Sequence, residues 1–164
     1  MAYKLSVALA QSCHNGPGFK STLQGPDGFF LHLFSGTVPT APGDALDMVT
    51  THTLLGVCTV NSDGTTGCTF DAAVNEIMQK AAAETWGGTF AFDGADDTDP
   101  SLLATFFRVA PKADNCQGAG AGARLQGTIT ATGGGGDMER ADPECDNGQP
   151  FSLTGFVVRI GSLG

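Results

Sequence analysis

The sequence predicts a mainly β protein, an antiparallel β-sandwich or jelly roll with a short N-terminal helix and long glycine-rich loops. Short apolar stretches rich in Val, Thr, Phe and Leu recur along the 164 residues and alternate with turn-forming residues. The chain contains 24 Gly and 8 Pro, as expected for many strands joined by loops. Apolar and polar residues alternate strictly over 124–131, which predicts an antiparallel strand with one buried face. About seven to nine short strands with turns between them are typical of a sandwich or jelly roll.

The first half of the chain predicts a helix, two strands and a hairpin. Leu5 and Leu9 lie at helical spacing in residues 3–13, and the residues that follow, 15–18, would end that helix. Strands are expected at 29–34 and 54–60 because both stretches are rich in β-branched or aromatic residues. The turn signal Asp63-Gly64 predicts that the chain returns through residues 66–70 as a hairpin.

The second half predicts four strands and leaves one segment open. Residues 72–84 have good helix propensity, with Val74, Ile77 and Met78 on one helical face, yet residues 76–80 could equally lie in a sheet. The later strands are expected at 86–92, 102–109, 124–131 and 151–160. Between them lie an acidic loop at 93–100 and glycine-rich loops at 110–122 and 132–150.

Length and charge predict a single domain, residues 1–164, with segment 1–28 as a possible docking arm. A 41% hydrophobic fraction with 11 Phe is enough for a core at this size. The net charge of −9, with only 8 Lys plus Arg, argues against nucleic-acid binding. The sequence shows neither a secretory signal nor an apolar stretch of membrane-spanning length, so we expect a protein kept in the cytosol after synthesis and no membrane partner.

The cysteines do not form a recognisable framework. Cys13, Cys58, Cys68, Cys116 and Cys145 are odd in number and lack a CxxC pair. Cys58 and Cys68 flank the predicted turn almost symmetrically, so their side chains could face each other. Reduced thiols are expected in a reducing cytosol, and later oxidation to a disulfide is the alternative.

The histidines and the acidic loop predict no metal site. His14, His32 and His52 lack the spacing of zinc ligands, and His32 is expected to be an ordinary strand residue. The densest carboxylate cluster, residues 93–99, fails the EF-hand pattern and predicts a solvated turn, with calcium binding as the open alternative.

No motif predicts catalysis or cofactor binding. Residues 133–136 are four glycines without a following lysine or helix, so they predict a flexible loop and not a phosphate cradle. Ser35 lies three residues after His32, but nothing marks it as a nucleophile. We therefore assign no catalytic, cofactor-binding or metal-ligating residue and predict that the protein is not an enzyme; a small hydrolase remains the competing hypothesis.

Four features occur in a characteristic order along most of the chain. They are the opening segment 4–9; Ser35-Gly36-Thr37-Val38-Pro39 followed by 54–57; residues 80–89 followed by 104–109; and residues 125–129 followed by 152–160. This order resembles a family of small tailed-phage virion proteins, namely head decoration (cement) proteins and minor virion structural proteins. Segments 93–103 and 131–150 depart from the family pattern and could build a partner contact.

The resemblance implies a β-sandwich without a catalytic centre and favours sheet for residues 76–80. It also implies a virion structural protein that decorates and stabilises the capsid exterior by bridging capsid subunits. Its partner would be the major capsid protein, and it would be a homo-oligomer, such as a trimer at a threefold junction. The expected location is the outer surface of the capsid, after assembly in the host cytoplasm, and the negative charge agrees with a position away from packaged DNA. The predicted contact surfaces are the N-terminal segment and loops 36–47 and 132–150.

Two other binding or structural functions stay open at this point. One is a tail or connector component. The other is a carbohydrate-binding β-sandwich module, which would need exposed aromatic rings. Trp86 and Tyr3 are the only Trp and Tyr in the chain, so the scarcity of such rings argues against sugar binding.

Overall fold

A computed structural model describes residues 3–15, 18–72, 77–120 and 122–159, and within them the chain is mainly antiparallel β-structure with two short helices. The predicted mainly β class is therefore confirmed, whereas the finer assignment as a sandwich or jelly roll stays a prediction. The elements, in chain order, are β1 (Lys4–Leu5), α1 (Val7–Asn15), α2 (Phe19–Gln24), β2 (Phe29–Ser35), β3 (Thr53–Val60), β4 (Ile77–Gln79), β5 (Trp86–Thr89), β6 (Asp93–Gly94), β7 (Ser101–Leu103), β8 (Phe106–Pro111), β9 (Leu125–Ala131), β10 (Met138–Arg140), β11 (Glu144–Asp146), β12 (Pro150–Leu153) and β13 (Val157–Arg159).

Nine of the strands form one sheet. Its main path runs β1-β9-β8-β2-β3-β5-β12, with β10 paired to β9 and β6 paired to β3. All described strand pairs are antiparallel except β9 with β10, which is parallel. Two further pairs, β7 with β11 and β4 with β13, form small separate sheets.

Strand β2 lies at the centre of the sheet and is covered on both faces. Leu31 pairs with Cys58 of β3 on one side and with Val109 of β8 on the other. Because side chains alternate along a strand, Leu31 and Leu33 point into the main core while His32 and Phe34 point to the opposite face. This explains why the stretch is apolar almost without interruption.

The main core is built around aromatic side chains. The Phe29 ring stacks on Phe70 at a centroid distance of 4.6 Å and meets Trp86 edge-on at 5.3 Å. Leu9 of α1 and Leu23 of α2 are fully buried in the same cluster. The described part of segment 1–28 therefore contributes to the core, and its role in docking stays a prediction for the residues it leaves exposed.

The start of the chain differs from the single helix predicted at 3–13. Lys4 and Leu5 pair with Gln126 and Leu125 as a short strand, and the helix begins only at Val7. Ser6 ends the strand, since its Oγ accepts the N–H of Leu9 at 3.3 Å and so caps the helix. The predicted helix stop lies partly on residues 16–17, outside the described residues.

The predicted hairpin is wrong in its second half. The turn exists, with Gly64 at φ +72°, but residues 66–70 do not form a ladder with β3. The backbone N–H of Val60 donates to the carbonyl of Thr66 at 3.0 Å across the turn, but Cys68 then forms a bridge with Phe29 of β2. β5 pairs with the other edge of β3, where Val60 lies opposite Trp86.

Two predicted strands are each divided into two, and the segment for which the sequence left helix and sheet open is partly assigned. The stretch 102–109 divides into β7 and β8 because its first part pairs with β11, whereas the part from Phe106 onward pairs with β2 and β9. The stretch 151–160 divides into β12 and β13, with Ile160 outside the described residues. Residues 77–79 form β4, which confirms the sheet alternative there, while residues 73–76 lie outside the description. The long loop 132–150 contains β10 and β11.

Candidate functional site

His32 and His52 are the two histidines whose side chains are described, and neither belongs to a group of three or more possible metal ligands. His32 is buried, stacks on Phe34 at 6.3 Å and lies on the opposite face of β2 from Ser35, so it cannot act as a base for that hydroxyl. Burial lowers the pKa of His32 to about 4. His52 fastens a loop, since its Nδ1 accepts the N–H of Asp47 at 3.1 Å and its Nε2 lies 2.8 Å from the carbonyl of Thr37. The side chain of His14 is outside the described part.

The acidic loop is held as a turn against β3. Asp93 and Gly94 pair with Leu54 and Thr53, and the N–H of Asp96 donates to Thr53 Oγ1 at 2.9 Å. Among the described residues, no group of three or more His, Cys, Asp or Glu side chains is placed to hold a metal ion.

The four-glycine segment has its N–H groups occupied from within the chain. The Glu139 carboxylate accepts the N–H groups of Gly133 at 3.2 Å and Gly135 at 3.0 Å, and Thr130 Oγ1 accepts that of Gly136 at 3.0 Å. A carboxylate of this chain therefore sits where a phosphate cradle would hold its ligand, and the segment is tied to β9 and β10.

Cys58 and Cys68 are neighbouring free thiols in the core. Both side chains are fully buried, and the Cys68 Sγ donates to the carbonyl of Cys58 at 3.7 Å. The hydrogen bond with the Cys58 side chain, together with burial, raises the pKa of the Cys68 thiol. The Cys68 thiol is therefore a poor nucleophile, and later oxidation of the pair to a disulfide stays the alternative prediction.

The first half of the polar side of β9 is buried, contrary to the exposed face expected from its alternation. Arg124 and Gln126 are 3% and 1% exposed, and Arg108 of β8 is completely buried beside them. Loops 36–47 and 112–120 cover this face of the sheet. The sequence pattern showed which residues share a face but contained no signal for what lies over them.

Arg108 joins the covering loops to the sheet. Its Nε donates to Gln126 Oε1 at 2.9 Å, while its terminal nitrogens donate to the carbonyls of Asp44 at 2.9 Å, Cys116 at 2.8 Å and Ala41 at 3.3 Å. Burial lowers the pKa of Arg108 to about 10, so the guanidinium stays charged at neutral pH and its bonds are charge-assisted.

Arg124 makes a bidentate ion pair with Asp114, with both N–O distances at 2.7 Å. Burial alone would raise the pKa of Asp114, but the hydrogen bonds from Arg124 and from the N–H of Cys116 hold it below its ordinary value. Arg124 also donates to the carbonyls of Gly118 at 2.9 Å and Pro42 at 3.3 Å. Together the two arginines hold loop 36–47 in one position on the sheet.

Loop 36–47 lies next to the start of the chain. Together the two segments form a surface that we call the N-terminal patch. It consists of Leu5, Val7 and Ala8 together with residues 41–43. Leu5 is 39% and Val7 74% exposed, and a mostly apolar groove of about 320 Å³ runs between the two segments. Lys4 Nζ donates to the carbonyl of Pro39 at 3.3 Å. Two of the three predicted contact regions thus lie side by side.

The third predicted contact region, 132–150, lines a different and larger cleft. This cleft has a volume of about 910 Å³ and lies between residues 137–142 and residues 152–159, with Tyr3 at its wall. The aromatic residues offered for sugar binding are not available as a platform, because Trp86 is fully buried and Tyr3 is partly buried.

Comparisons with known proteins identify no relative of this chain. No protein-family model, no curated protein and no solved structure matches this chain. Within the described residues, neither helix is long and apolar enough to cross a membrane.

Proposed function

We propose that this protein is a structural component of a tailed-phage particle that decorates the capsid exterior and stabilises it by bridging capsid subunits. The observation that carries the proposal is the N-terminal patch, in which two of the predicted contact regions meet around an exposed apolar groove. The order of sequence features that resembles the decoration family supports the same assignment.

The patch has the physical properties of a weak, repeated contact. Burying a Leu or Val side chain contributes at most about 1.5–3 kcal/mol, so Leu5 and Val7 alone would support only modest affinity per copy. Linking several copies in one homo-oligomer would make the later contacts intramolecular, so the oligomer would attach much more strongly than a single chain. Because Arg108 and Arg124 already fix loop 36–47, binding would require little ordering of that loop.

The proposed partner is the major capsid protein, and the proposed state on the particle is a homo-oligomer such as a trimer. A net charge of −9 favours the outer surface of the capsid over its DNA-filled interior. A position in the tail or connector would use the same patch in fewer copies. A carbohydrate-binding module is less well supported because Trp86 is buried.

Binding to particles that lack this protein tests the proposal through one matched pair of variants. Val7→Asp places a charge in the patch, whereas Val49→Asp places the same charge on a valine that is 83% exposed in loop 47–51. We expect the purified wild-type chain and the Val49→Asp variant to co-sediment with the particles, and the Val7→Asp variant to lose at least about tenfold in affinity. Equal binding by both variants would exclude the N-terminal patch, and failure of the wild type to bind would exclude the decoration function.

A further inference from the structure

Cys58 and Cys68 lie at neighbouring positions along one edge of β2, since β8 occupies the other edge. Cys58 lies opposite Leu31 in the ladder between β2 and β3, and Cys68 forms a bridge with Phe29, two residues earlier on β2. That bridge has two backbone hydrogen bonds, of 2.8 and 3.0 Å. Because Phe29 and Leu31 share one face of β2, the two thiols enter the same main core.

The side chains of the two cysteines interact directly. Cys68 Sγ donates to the carbonyl of Cys58 at 3.7 Å and also makes a hydrogen bond with the Cys58 side chain. The turn contact from the N–H of Val60 to the carbonyl of Thr66 lies two residues from each cysteine, so the cysteines hold equivalent positions on the two segments that leave the turn. A disulfide needs neighbouring Cα atoms and side chains that do not point apart, and this pair has both features.

The other two buried cysteines lie in different surroundings. Cys145 Sγ accepts a hydrogen bond from Arg140 and donates to the carbonyl of Pro143 at 3.4 Å. Cys116 belongs to the separate cluster on the second face of the sheet. Both are as well buried as Cys58 and Cys68, so they serve as internal controls for the effect of burial alone.

Cys68 lies in a segment, residues 61–70, that is joined to its neighbours by isolated contacts and not by a ladder. Its bridges are Cys68 with Phe29 and Phe70 with Lys80. The first six residues of the segment are exposed. Segments with few cooperative backbone contacts open more often than the central strands of a sheet. A small thiol reagent can therefore reach the buried pair when this segment opens, while β2 and β3 stay paired.

We propose that Cys58 and Cys68 form a disulfide in oxidising surroundings and that this bond fastens segment 61–70 to β3. With oxidised glutathione as the oxidant, one cysteine attacks the glutathione disulfide, which gives a mixed disulfide and one reduced glutathione. The second cysteine then attacks the protein sulfur and releases a second reduced glutathione. Two thiols of the chain are thus oxidised, one glutathione disulfide is reduced, and the two thiol protons pass to glutathione. A reducing cytosol would keep the pair as thiols. This proposal does not rest on the proposed function.

The test equilibrates the full native chain with mixtures of oxidised and reduced glutathione, blocks the remaining thiols and maps the disulfides by mass spectrometry. A protease that cleaves before aspartate cuts at Asp47, Asp63 and Asp71, so the predicted bond appears as peptide 47–62 joined to peptide 63–70. We expect this linked pair to predominate over every other pairing. It should form at a ratio of oxidised to reduced glutathione at least about tenfold lower than in the same chain unfolded in urea.

Controls and stability complete the test. Cys116 and Cys145 should be recovered as free thiols, and Cys116→Ala should still form the linked pair, whereas Cys68→Ala should not. The oxidised chain should unfold at a higher urea concentration than the reduced chain, because a bond that the native state favours also favours the native state.

Three results would overturn the proposal. The first is pairing of Cys58 or Cys68 with another cysteine, and the second is recovery of the pair only as mixed disulfides with glutathione. The third is a native chain that forms the bond no more readily than the unfolded chain, which would mean that the fold holds the two sulfurs in a geometry unsuited to bonding. The mapping of the wild type decides the point even if Cys68→Ala fails to fold.

Discussion

His32 provides a quantitative test of how the second face of the sheet is packed. Its ring is buried against Phe34, and its Nδ1 lacks a hydrogen-bond partner among the described residues. Burial is the main reason that its pKa falls from 6.5 to about 4, with Asp114 acting in the opposite direction. Replacement by leucine removes both the titrating group and the unpartnered nitrogen.

The sign of the effect follows from proton binding. Well above pH 6.5 the imidazole is neutral in both the folded and the unfolded chain, so His32 adds no pH dependence to the free energy of unfolding there. Between pH 6.5 and 4 the unfolded chain binds a proton that the folded chain does not, and the free energy of unfolding falls as the pH falls. From pH 7.5 to 4.5 this amounts to about 2–3 kcal/mol for the His32 pKa cited above.

The assay is urea unfolding of the wild type and His32→Leu at both pH values, followed by the fluorescence of the single, buried Trp86. Other groups, including Asp114, also make stability fall in acid, so the quantity to compare is the difference between the two proteins. We expect the free energy of unfolding of His32→Leu to gain about 2–3 kcal/mol relative to wild type on going from pH 7.5 to 4.5. Parallel loss of stability in both proteins would show that His32 titrates normally and that its face of the sheet is open to water.

Three further predictions concern the loops, the turns and the thiols. Arg108→Met should lower the free energy of unfolding by at least about 3 kcal/mol because four hydrogen bonds are lost at a fully buried site. Proteases should then cut loop 36–47 faster than in the wild type. An unchanged rate of proteolysis would contradict the role of Arg108 in holding this loop on the sheet. Gly67→Ala should be strongly destabilising in thermal unfolding because its Cβ would lie 2.3 Å from the carbonyl oxygen of Asp27, whereas Gly118→Ala, which meets no atom within 4 Å, should be nearly neutral. A thiol reagent such as Ellman's should label Cys13 in the folded protein before the four buried cysteines, and rapid labelling of Cys58 or Cys68 would mean that the core opens readily.

Strands with a strong local pattern could be predicted from the sequence. Residues 29–34 and 54–60 form β2 and β3 within one residue at each end because their apolar content is decisive whatever lies next to them. The burial of the polar side of β9 could not be predicted in the same way. Alternation identifies a second face, but only the tertiary structure shows that Arg124 and Gln126 lie under loops. The division of 102–109 into β7 and β8 and the pairing of β3 with β5 depend on partners far away in sequence, so no local pattern could reveal them.

The candidate surface was predicted as regions and not as residues. Loop 36–47 and the N-terminal segment were both expected to make contacts, but their adjacency depends on hydrogen bonds from Arg108 and Arg124, which are distant in sequence from both.

The copy number of this chain in purified particles tests the central claim most directly. Quantitative mass spectrometry would compare it with the major capsid protein in the same sample. Decoration of the capsid exterior predicts a copy number of the same order as that of the capsid protein. A few copies per particle would place the protein at the tail or connector, and its absence from particles would contradict the structural role altogether.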